Sequence, residues 1–472
     1  MSMSKKPVNT EQGNQRAEYA KMLPVILALA WPTMLEQLMQ TAVQYIDTAM
    51  VGSLGTQATA AVGATGTVNW LVNSTISALG VGFLSYISRA IGAGRMDSAR
   101  KASAQAVTAG IVVGIAFTIL TTSLSGMIPV WMQVDESIRE MTAGYFRILY
   151  LPMLFRTASM IYGTILRAAG DTKTPMKVGV IVNVINIVLN FLLIYPSRQA
   201  EFFGASFQIP GAGLGINGAA AASAVAYTFG GIAITVRLWM HEDISPRGQS
   251  LLPDWNVLSP CLKVAMPNMF QRFATSLGYV VFASMINSLG EISTAAHTIA
   301  NTVESAFYIP GWGMQTAAAT LAGNAKGAGD EKKLGQLART FLPLEVGLMV
   351  ISGGLLFLFA PGLMHLFSKD PEVIALGTTV LRMVAVSEPF YGVPIVIEGM
   401  MQGIGNTVAP FVFNVAGMWG ARICGTFVCT QMLDGGLVSA WGCMIAHNML
   451  LFVMFTIHYV SGKWRITERK TG

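Results

Sequence analysis

The chain has 472 residues, of which only 11% are charged and 53% are hydrophobic, and its mean hydropathy is +0.54. Soluble proteins carry about 25% charged residues, and a fold so poor in charge would expose large apolar patches to water. This composition excludes an ordinary soluble protein. The net charge of +6 does not indicate a nucleic-acid partner, because the basic residues lie in short segments between apolar runs.

Apolar runs long enough to cross a membrane, about 20 residues each, follow one another along the whole chain. The first six cover residues 22–47, 57–88, 102–126, 138–166, 177–196 and 214–236. The other six cover residues 261–288, 292–324, 338–366, 373–402, 410–432 and 436–460. These runs are too long and too uniformly apolar for the alternating strands of a membrane barrel. We therefore predict an all-α membrane protein with twelve transmembrane helices.

Basic residues alternate along the chain in a way that predicts its orientation. Residues 89–101, 167–177 and 463–470 are rich in Lys and Arg, whereas 52–56 and 433–436 have none. The positive-inside rule places both termini and the basic loops in the cytoplasm. We expect a multi-pass protein of a bacterial inner (plasma) membrane. The polar N-terminus lacks the apolar core of a signal peptide, so the first span is expected to stay in the protein.

The two halves of the sequence repeat with an offset of 235 residues. This offset relates Pro32 to Pro267, Ser53-Leu54-Gly55 to Ser288-Leu289-Gly290, Gly92-Ala93-Gly94 to Gly327-Ala328-Gly329, Gly170 to Gly405, and Pro175 to Pro410. Before the last span of each half the offset falls to 218, because the first half has a longer loop near 197–214. The repeat contains six spans, an even number, so both halves have one orientation. We predict two six-helix bundles related by a pseudo-two-fold axis along the membrane normal.

The repeat also predicts the domain boundaries. The predicted segments are an N-terminal tail at 1–20, an N-lobe at 21–238, a linker at 239–260, a C-lobe at 261–461 and a C-terminal tail at 462–472. Both tails and the linker are expected on the cytoplasmic side. Secondary transporters built from such repeats hold their substrate between the halves.

The first candidate site is a carboxylate in an apolar run. Asp47 lies near the outer end of the first span, and its repeat partner is Phe282. Carboxylates in hydrocarbon are costly and usually mark ion or proton paths; the alternative is a side chain that reaches the nearby interface. Asn186 and Asn190 lie on one face of the fifth span, roughly as far below the outer surface as Asp47.

Further polar residues are predicted around this carboxylate. Ser223 in the sixth span and Tyr145 and Tyr150 in the fourth enter from the outer side at a similar depth. This oxygen-rich set would suit Na⁺ at Asp47, Asn186 and Asn190, whereas a lone carboxylate held by amides and a tyrosine would suit H⁺. The asparagines could instead only join helices by hydrogen bonds. Asn183, on the same face, is assigned that structural role.

Four other charged residues are weaker candidates for a substrate cavity. Glu36 points the same way as Asp47 and either lines the same cavity or pairs with an arginine between the lobes. Arg272 and Glu388 are expected to form a buried pair or, for the glutamate, to attract cations. Glu398 either shares that role or reaches the membrane interface. Pro32 is the predicted bend of the first helix.

The sequence resembles the multidrug and toxic compound extrusion (MATE) family over nearly its whole length. The resemblance rests on Trp31-Pro32, the stretch Asp47-Thr48-x-x-Val51-Gly52-x-Leu54-Gly55, Gly92-Ala93-Gly94, Arg167-Ala168-Ala169-Gly170-Asp171-Thr172, Asn186 with Asn190, and Asn217-Gly218-Ala219-Ala220. It implies a V-shaped pair of bundles that exports organic, mostly cationic or aromatic, compounds in exchange for H⁺ or Na⁺.

The resemblance also assigns roles to residues. Asp47 is similar to the family's coupling carboxylate, and Asn186 and Asn190 to its partners in the fifth helix. Some members have acidic residues in helix seven, where this chain reads Gln271-Arg272-Phe273-Ala274, so a C-lobe cation site of that type is not expected. Small organic substrates, the coupling ion and membrane lipids are the predicted partners of a monomer without other cofactors.

Two other functions are weighed against export. A lipid-linked oligosaccharide flippase of similar helical plan would need more basic residues inside the membrane to hold a diphosphate. A membrane enzyme would need a catalytic set, and the sequence has no HExxH, Walker or Ser/His/Asp pattern. The five histidines are scattered, and the four cysteines lie in or beside apolar runs without metal spacing. We therefore expect neither an enzyme nor a structural metal site.

Overall fold

A computed structural model describes residues 8–132, 134–202 and 205–465 of the chain. These residues are almost entirely helical, as the apolar runs predict. The N-lobe contains helices α1 Val8–Gly52, α2 Thr56–Gly92, α3 Met96–Leu124, α4 Ile128–Trp131, α5 Glu136–Tyr150, α6 Met153–Ala168, α7 Lys173–Leu193 and α8 Gly215–Trp239. The helix α1 begins within the predicted N-terminal tail, of which residues 1–7 lie outside the described part.

The C-lobe repeats the six spans, but within the described residues it lacks the short α4 and its second span is broken in place of its fourth. Its helices are α9 Trp255–Asn287, α10 Glu291–Phe307, α11 Ile309–Gly327, α12 Glu331–Phe367, α13 Pro371–Ile404, α14 Val408–Met432 and α15 Leu437–Val460. Aspartates begin several of these helices, because their carboxylates accept the free N–H groups of the first turn. Asp254 caps α9, Asp330 caps α12 and Asp370 caps α13.

Two predicted spans are broken in the middle. The fourth is divided into α5 and α6, which meet at 49°, since Pro152 cannot donate a backbone hydrogen bond there. Asp135 lies just before α5, outside the predicted spans. The backbone N–H and the hydroxyl of Ser137 both donate to its carboxylate, and these hydrogen bonds lower the pKa of Asp135. The eighth span is divided into α10 and α11 just before Pro310. Each break releases backbone groups from the regular helical pattern.

Nine helices of the described residues are long and apolar enough to cross a membrane, or ten if the bent pair α5–α6 forms one span. The helix α9 and the pair α10–α11 occupy the seventh and eighth places of the predicted order. The predicted architecture of twelve transmembrane helices in two bundles is thus confirmed. One addition is an antiparallel hairpin of β1 Pro196–Phe202 and β2 Ala205–Ala212, in the segment predicted as a long loop.

The two ends of the bundles are chemically different. We call the end with the loops at 93–95, 171–172 and 328–330 the basic end, and the opposite end, beside the β1–β2 hairpin, the hairpin end. The segment 240–254 between the lobes lies against α3 at the basic end. There Gln105 binds it through the carbonyls of Ser250 and Leu252 and the amide of Asp254.

The lobes meet through α2, which packs on α9 and α11, and through α1, which packs on α11. Glycines on the pseudo-two-fold axis allow this approach. A Cβ atom at Gly92 would collide with the carbonyl of Asn324, and one at Gly327 would collide with the carbonyl of Arg89. Position 89 is related to 324, and 92 to 327, by the repeat offset. The contact is therefore reciprocal, as in a two-fold interface.

We expect Gly327→Ala to destabilise the protein by about 1–3 kcal/mol, because the added methyl group meets backbone, which cannot rotate away. Thermal unfolding in detergent would measure the loss. The matched control is Gly66→Ala in α2, where a Cβ meets nothing within 4 Å, and which gains up to about 1 kcal/mol of helix propensity. Equal stability of Gly327→Ala and the parent protein would contradict the close contact.

Candidate functional site

A carboxyl group and two carboxamides meet near the hairpin end of the N-lobe. The Asn190 Nδ2 atom on α7 donates to Asp47 Oδ1 on α1 at 2.6 Å and to Asn186 Oδ1 at 3.1 Å. The Asn186 Nδ2 atom lies 3.0 Å from the hydroxyl of Ser223 on α8. Both asparagines are buried. The structure therefore brings together Asp47, Asn186, Asn190 and Ser223, four residues selected from the sequence, on three helices. Asn183 is buried one turn away, and its Nδ2 atom has no partner within the described chain.

This group cannot satisfy all its hydrogen bonds while Asp47 is ionised and alone. With its nitrogen on Ser223, the Asn186 amide oxygen faces the Asp47 carboxyl oxygens at 3.0 and 3.2 Å, acceptor to acceptor. In the opposite amide orientation the nitrogen donates to Asp47, but it then meets the Asn190 nitrogen at 3.1 Å, donor to donor. An amide orientation is assigned from such contacts, and here each choice leaves one conflict. A proton on Asp47, or a cation between the oxygens, removes the conflict of the first orientation.

The corresponding positions of the C-lobe are apolar. The repeat offsets relate Asp47 to Phe282, Asn186 to Ala421, Asn190 to Gly425 and Ser223 to Trp441. Both Phe282 and Trp441 are fully buried in the C-lobe core. Symmetry therefore does not explain the polar group. The C-lobe packs with apolar residues at the same places, so packing alone does not require polar ones.

Neither of the two candidate tyrosines is hydrogen-bonded to the Asp47 carboxyl group within the described chain. The hydroxyl of Tyr150 donates to Asn69 Oδ1 at 3.1 Å, and its ring stacks on Phe146 at 4.2 Å. Tyr145 is buried on α5, and within the described chain its hydroxyl makes no hydrogen bond to Asp47. Pro32, the predicted bend of the first helix, does not interrupt it. The helix α1 continues as one helix through Pro24 and Pro32.

Glu36 has a partner within its own lobe. Its Oε2 atom lies 2.6 Å from Nη2 of Arg167 at the end of α6, and both side chains are mostly buried. Of the two alternatives for Glu36, the pair with an arginine is found, but this arginine belongs to the same lobe, because the repeat does not reveal which helix faces Glu36. Here α1 lies beside the end of α6 and α7, and Gly179 of α7 leaves room for the glutamate.

The predicted pair of Arg272 and Glu388 does not form. Ion pairs of the described residues are Arg139–Glu136, Arg167–Glu36 and Lys326–Glu331. Glu388 lies instead in an acidic part of the C-lobe that sequence reasoning missed, with Glu304 and Glu345 also buried. Tyr308 donates to Glu304 at 2.5 Å. Glu304 and Glu345 lie in apolar runs, and their repeat partners, Asn69 and Gly110, are uncharged. This difference between the halves was the signal that sequence reasoning missed.

Glu398 does not reach a membrane interface. It is buried on α13, and its carboxyl oxygens accept hydrogen bonds from the carboxamides of Gln271, Gln402 and Asn414. These partners carry no charge, so nothing in the sequence connects them with the glutamate. No group of three or more His, Cys, Asp or Glu residues is placed to hold a metal ion in the part of the chain described.

Two helical bundles joined in parallel, with ionisable groups buried inside each, are the architecture of membrane transporters built from parallel repeats. The MatE family model matches residues 32–192 and again 267–428. These matches cover more than half of the chain and begin 235 residues apart (267 minus 32), which is the repeat offset. The chain belongs to the MatE family.

Proteins of similar sequence or fold match this chain over most of its length. The Thermotoga maritima protein named "Probable multidrug resistance protein NorM" is 27% identical over 95% of this chain and 94% of its own. The Yersinia pseudotuberculosis "Multidrug resistance protein MdtK" is 23% identical over 84% of each. A MOP superfamily transporter from Pyrococcus furiosus has a similar fold, with a TM-score of 0.84 at 22% identity, covering 94% of this chain and 96% of that one. The Vibrio cholerae MATE transporter VcmN has a TM-score of 0.84 at 18% identity, covering 96% and 100%.

Proposed function

We propose that the protein exports small organic compounds across the bacterial inner membrane in exchange for H⁺ or Na⁺, with Asp47 as the coupling carboxylate. The observation that carries the proposal is the conflict between Asp47, Asn186 and Asn190, which a proton or a cation resolves. The names of the relatives support the export of drugs. The distribution of Lys and Arg favours an orientation with both termini in the cytoplasm.

The coupling step follows from the contacts of α1. When the ion leaves, the Asp47 carboxylate and the Asn186 oxygen repel one another, so α1 and α7 separate or repack. The same helix α1 packs on α11 of the C-lobe, and Tyr45 near its end donates to the carbonyl of Thr302 at 3.2 Å. A change at Asp47 thereby alters the contact between the lobes. Coupling requires such a difference in ligand affinity between two states.

The C-lobe favours positively charged substrates. Glu304, Glu345 and Glu388 are buried there, and both carboxyl oxygens of Glu345 lack partners in the described chain. Across the lobes, the rings of Trp70 and Tyr279 meet edge to face at 5.9 Å. Aromatic faces and carboxylates are the groups that bind organic cations. Cationic and aromatic compounds are therefore the proposed substrates.

Counterflow in proteoliposomes tests this function. The purified protein is reconstituted, and uptake of a fluorescent organic cation is followed with imposed gradients of Na⁺ or of pH, each varied while the other is fixed. We expect uptake driven by an opposing gradient of one of these ions and absent from protein-free vesicles. Uptake that does not depend on either gradient would contradict antiport. The absence of uptake for every cationic or aromatic compound would contradict the substrate class.

A further inference from the structure

Two cysteines face each other between the last two helices, near the hairpin end. Cys429 on α14 and Cys443 on α15 are free thiols, and their Sγ atoms lie 3.6 Å apart. Both side chains are partly exposed, whereas Cys261 is buried in α9 and Cys424 is exposed on α14. The two sulfurs of a disulfide are about 2.05 Å apart, so the contact between the thiols is close enough for side-chain rotation to complete the bond.

The backbone around the two thiols holds them together. Gly425 lies one turn before Cys429, and a Cβ atom there would meet the Cys443 Sγ atom at 3.3 Å. This glycine therefore leaves room for the thiol on the neighbouring helix. The loop 433–436 is tied to the same place, since the Gly435 N–H donates to the Cys429 carbonyl at 2.7 Å. The contact of the sulfurs thus follows from the geometry of the turn between α14 and α15.

Packing at this place does not require sulfur. The repeat offset of 235 relates Cys429 to Ile194. The offset of 218 for the last span relates Cys443 to Val225. The N-lobe therefore fills the equivalent positions with side chains that cannot react. In the part of the chain described, no third His, Cys, Asp or Glu joins the two thiols to hold a metal ion. The chemistry that distinguishes this pair from its counterparts is the formation of a covalent bond.

Both thiols lie within reach of the solution at the hairpin end. Cys429 is three residues before the end of α14 at Met432, and Cys443 is six residues after the start of α15 at Leu437. These spacings correspond to depths of about 4.5 and about 9 Å along the helices. The adjoining loop 433–436 has no Lys or Arg, so the orientation proposed above places it in the periplasm. In that compartment disulfides form and persist.

We infer that Cys429 and Cys443 form an intramolecular disulfide that joins α14 to α15 at the periplasmic end. One thiolate attacks the disulfide of a periplasmic oxidant, a dithiol protein in its oxidised form, and the second cysteine then attacks the resulting mixed disulfide. The Sγ–Sγ bond forms, and the two protons and two electrons of the thiols convert the oxidant to its dithiol. The inference rests on the orientation proposed above and is independent of export and of Asp47.

The bond stiffens an unusual part of α14. Gly417–Cys424 and Val428–Met432 are wound as π-helix, a rare arrangement with one residue more in each backbone hydrogen-bonded turn than an α-helix has. Cys429 belongs to the second of these segments. A bond from Cys429 to α15 fixes the register of the π turn and prevents the end of α14 from rewinding as an α-helix. The disulfide thus makes α14 and α15 one rigid unit of the C-lobe.

A count of free thiols in the full-length protein tests the inference. Cells are treated with acid to stop thiol exchange, and the denatured protein is reacted with a maleimide and weighed by mass spectrometry. We expect two maleimides on the chain, at Cys261 and Cys424, and four after reduction. Cys443→Ser should take three with or without reduction, because Cys429 has lost its partner. The matched control Cys424→Ser should take one before reduction and three after it.

Two measurements on the parent protein keep the test decisive if Cys443→Ser folds poorly. Peptide mapping without reduction should recover one linked pair of peptides, which contain Cys429 and Cys443. In thermal unfolding, a reductant should shift the midpoint of the parent protein and of Cys424→Ser to lower temperature, because a closed loop restricts the unfolded chain. The same reductant should leave the midpoint of Cys443→Ser unchanged.

Four maleimides on the unreduced parent protein, or a linked pair that includes Cys261 or Cys424, would overturn the disulfide. Gln57→Cys tests the orientation separately, in a chain that also carries Cys429→Ser and Cys443→Ser. Gln57 is exposed at the hairpin end of the N-lobe, and its cysteine should react with a membrane-impermeant maleimide in intact spheroplasts. Reaction only after lysis would place the pair in the reducing cytoplasm and overturn the inference together with the orientation. Because transport is not measured, failure of the antiport proposal would leave these outcomes unchanged.

Discussion

The Asp47→Asn variant is expected to fold, to insert into the membrane and to lose ion-driven export. Asparagine has nearly the shape of aspartate but carries neither a charge nor a titratable proton. The Asn186 amide can then adopt one orientation permanently, so the N-lobe no longer has two states to distinguish. Coupling between two ligands typically corresponds to a change in affinity of about 5–150-fold, and we expect this factor to fall to one. Substrate binding by the variant, measured with and without the ion, checks this directly.

Asp434→Asn is the matched control for this substitution. Asp434 is exposed and has φ = 52°, a left-handed conformation that asparagine also adopts readily. This variant makes the same chemical change between α14 and α15 and should transport as the parent protein does. Ion-driven export by Asp47→Asn at the rate of the control would reject Asp47 as the coupling group.

Breaking the Glu36–Arg167 pair is expected to have the largest effect on stability. Arg167→Met leaves the Glu36 carboxylate mostly buried without its partner, and removal of one member of a buried pair costs about 3–5 kcal/mol. The side chains of Arg167 and Glu36 are 17% and 12% exposed, which favours the lower part of this range. Equilibrium unfolding in mixed micelles would measure the loss.

Two further variants identify the cause of this loss. The double variant Glu36→Gln with Arg167→Gln reproduces the glutamines that the C-lobe has at the equivalent positions, and it should recover most of the stability because no charge remains unpaired. Arg139→Met breaks an exposed pair with Glu136, at 37% and 88% exposure, and should cost at most about 1 kcal/mol. A double variant as unstable as Arg167→Met would show that the charge is not responsible.

The sequence alone predicted, for a physical reason, that Asp47, Asn186, Asn190 and Ser223 lie together in the N-lobe. Spacings of three and four residues fix which side chains share a helical face, and the distance to the helix end fixes their depth. Asn186 and Asn190 met both conditions relative to Asp47, and the apolar repeat partner Phe282 marked the carboxyl group as unusual. The twelve spans followed from hydrophobic length, which membrane thickness determines.

The pairing of charges could not be predicted in the same way. Face and depth do not determine which neighbouring helix a side chain meets, so Glu36 was not connected with Arg167, nor Glu398 with its amides. Arg272 and Glu388 were joined only because they are opposite charges in apolar runs of the same lobe. Neutral partners such as Gln402 gave no electrostatic signal. Comparing the halves position by position for a charge replaced by an amide would have drawn attention to Gln271 and Gln402.

The reciprocal contact of Gly92 and Gly327 constrains how the two bundles can move. Since backbone touches backbone there, the point can serve as a fulcrum. Two stiff bodies that rock about a fulcrum at one end open widely at the other with little displacement at the pivot. Reversing that tilt would require the same glycines to part. A crosslink between cysteines placed beside them would therefore trap one orientation of the lobes and permit only the swing at the far end.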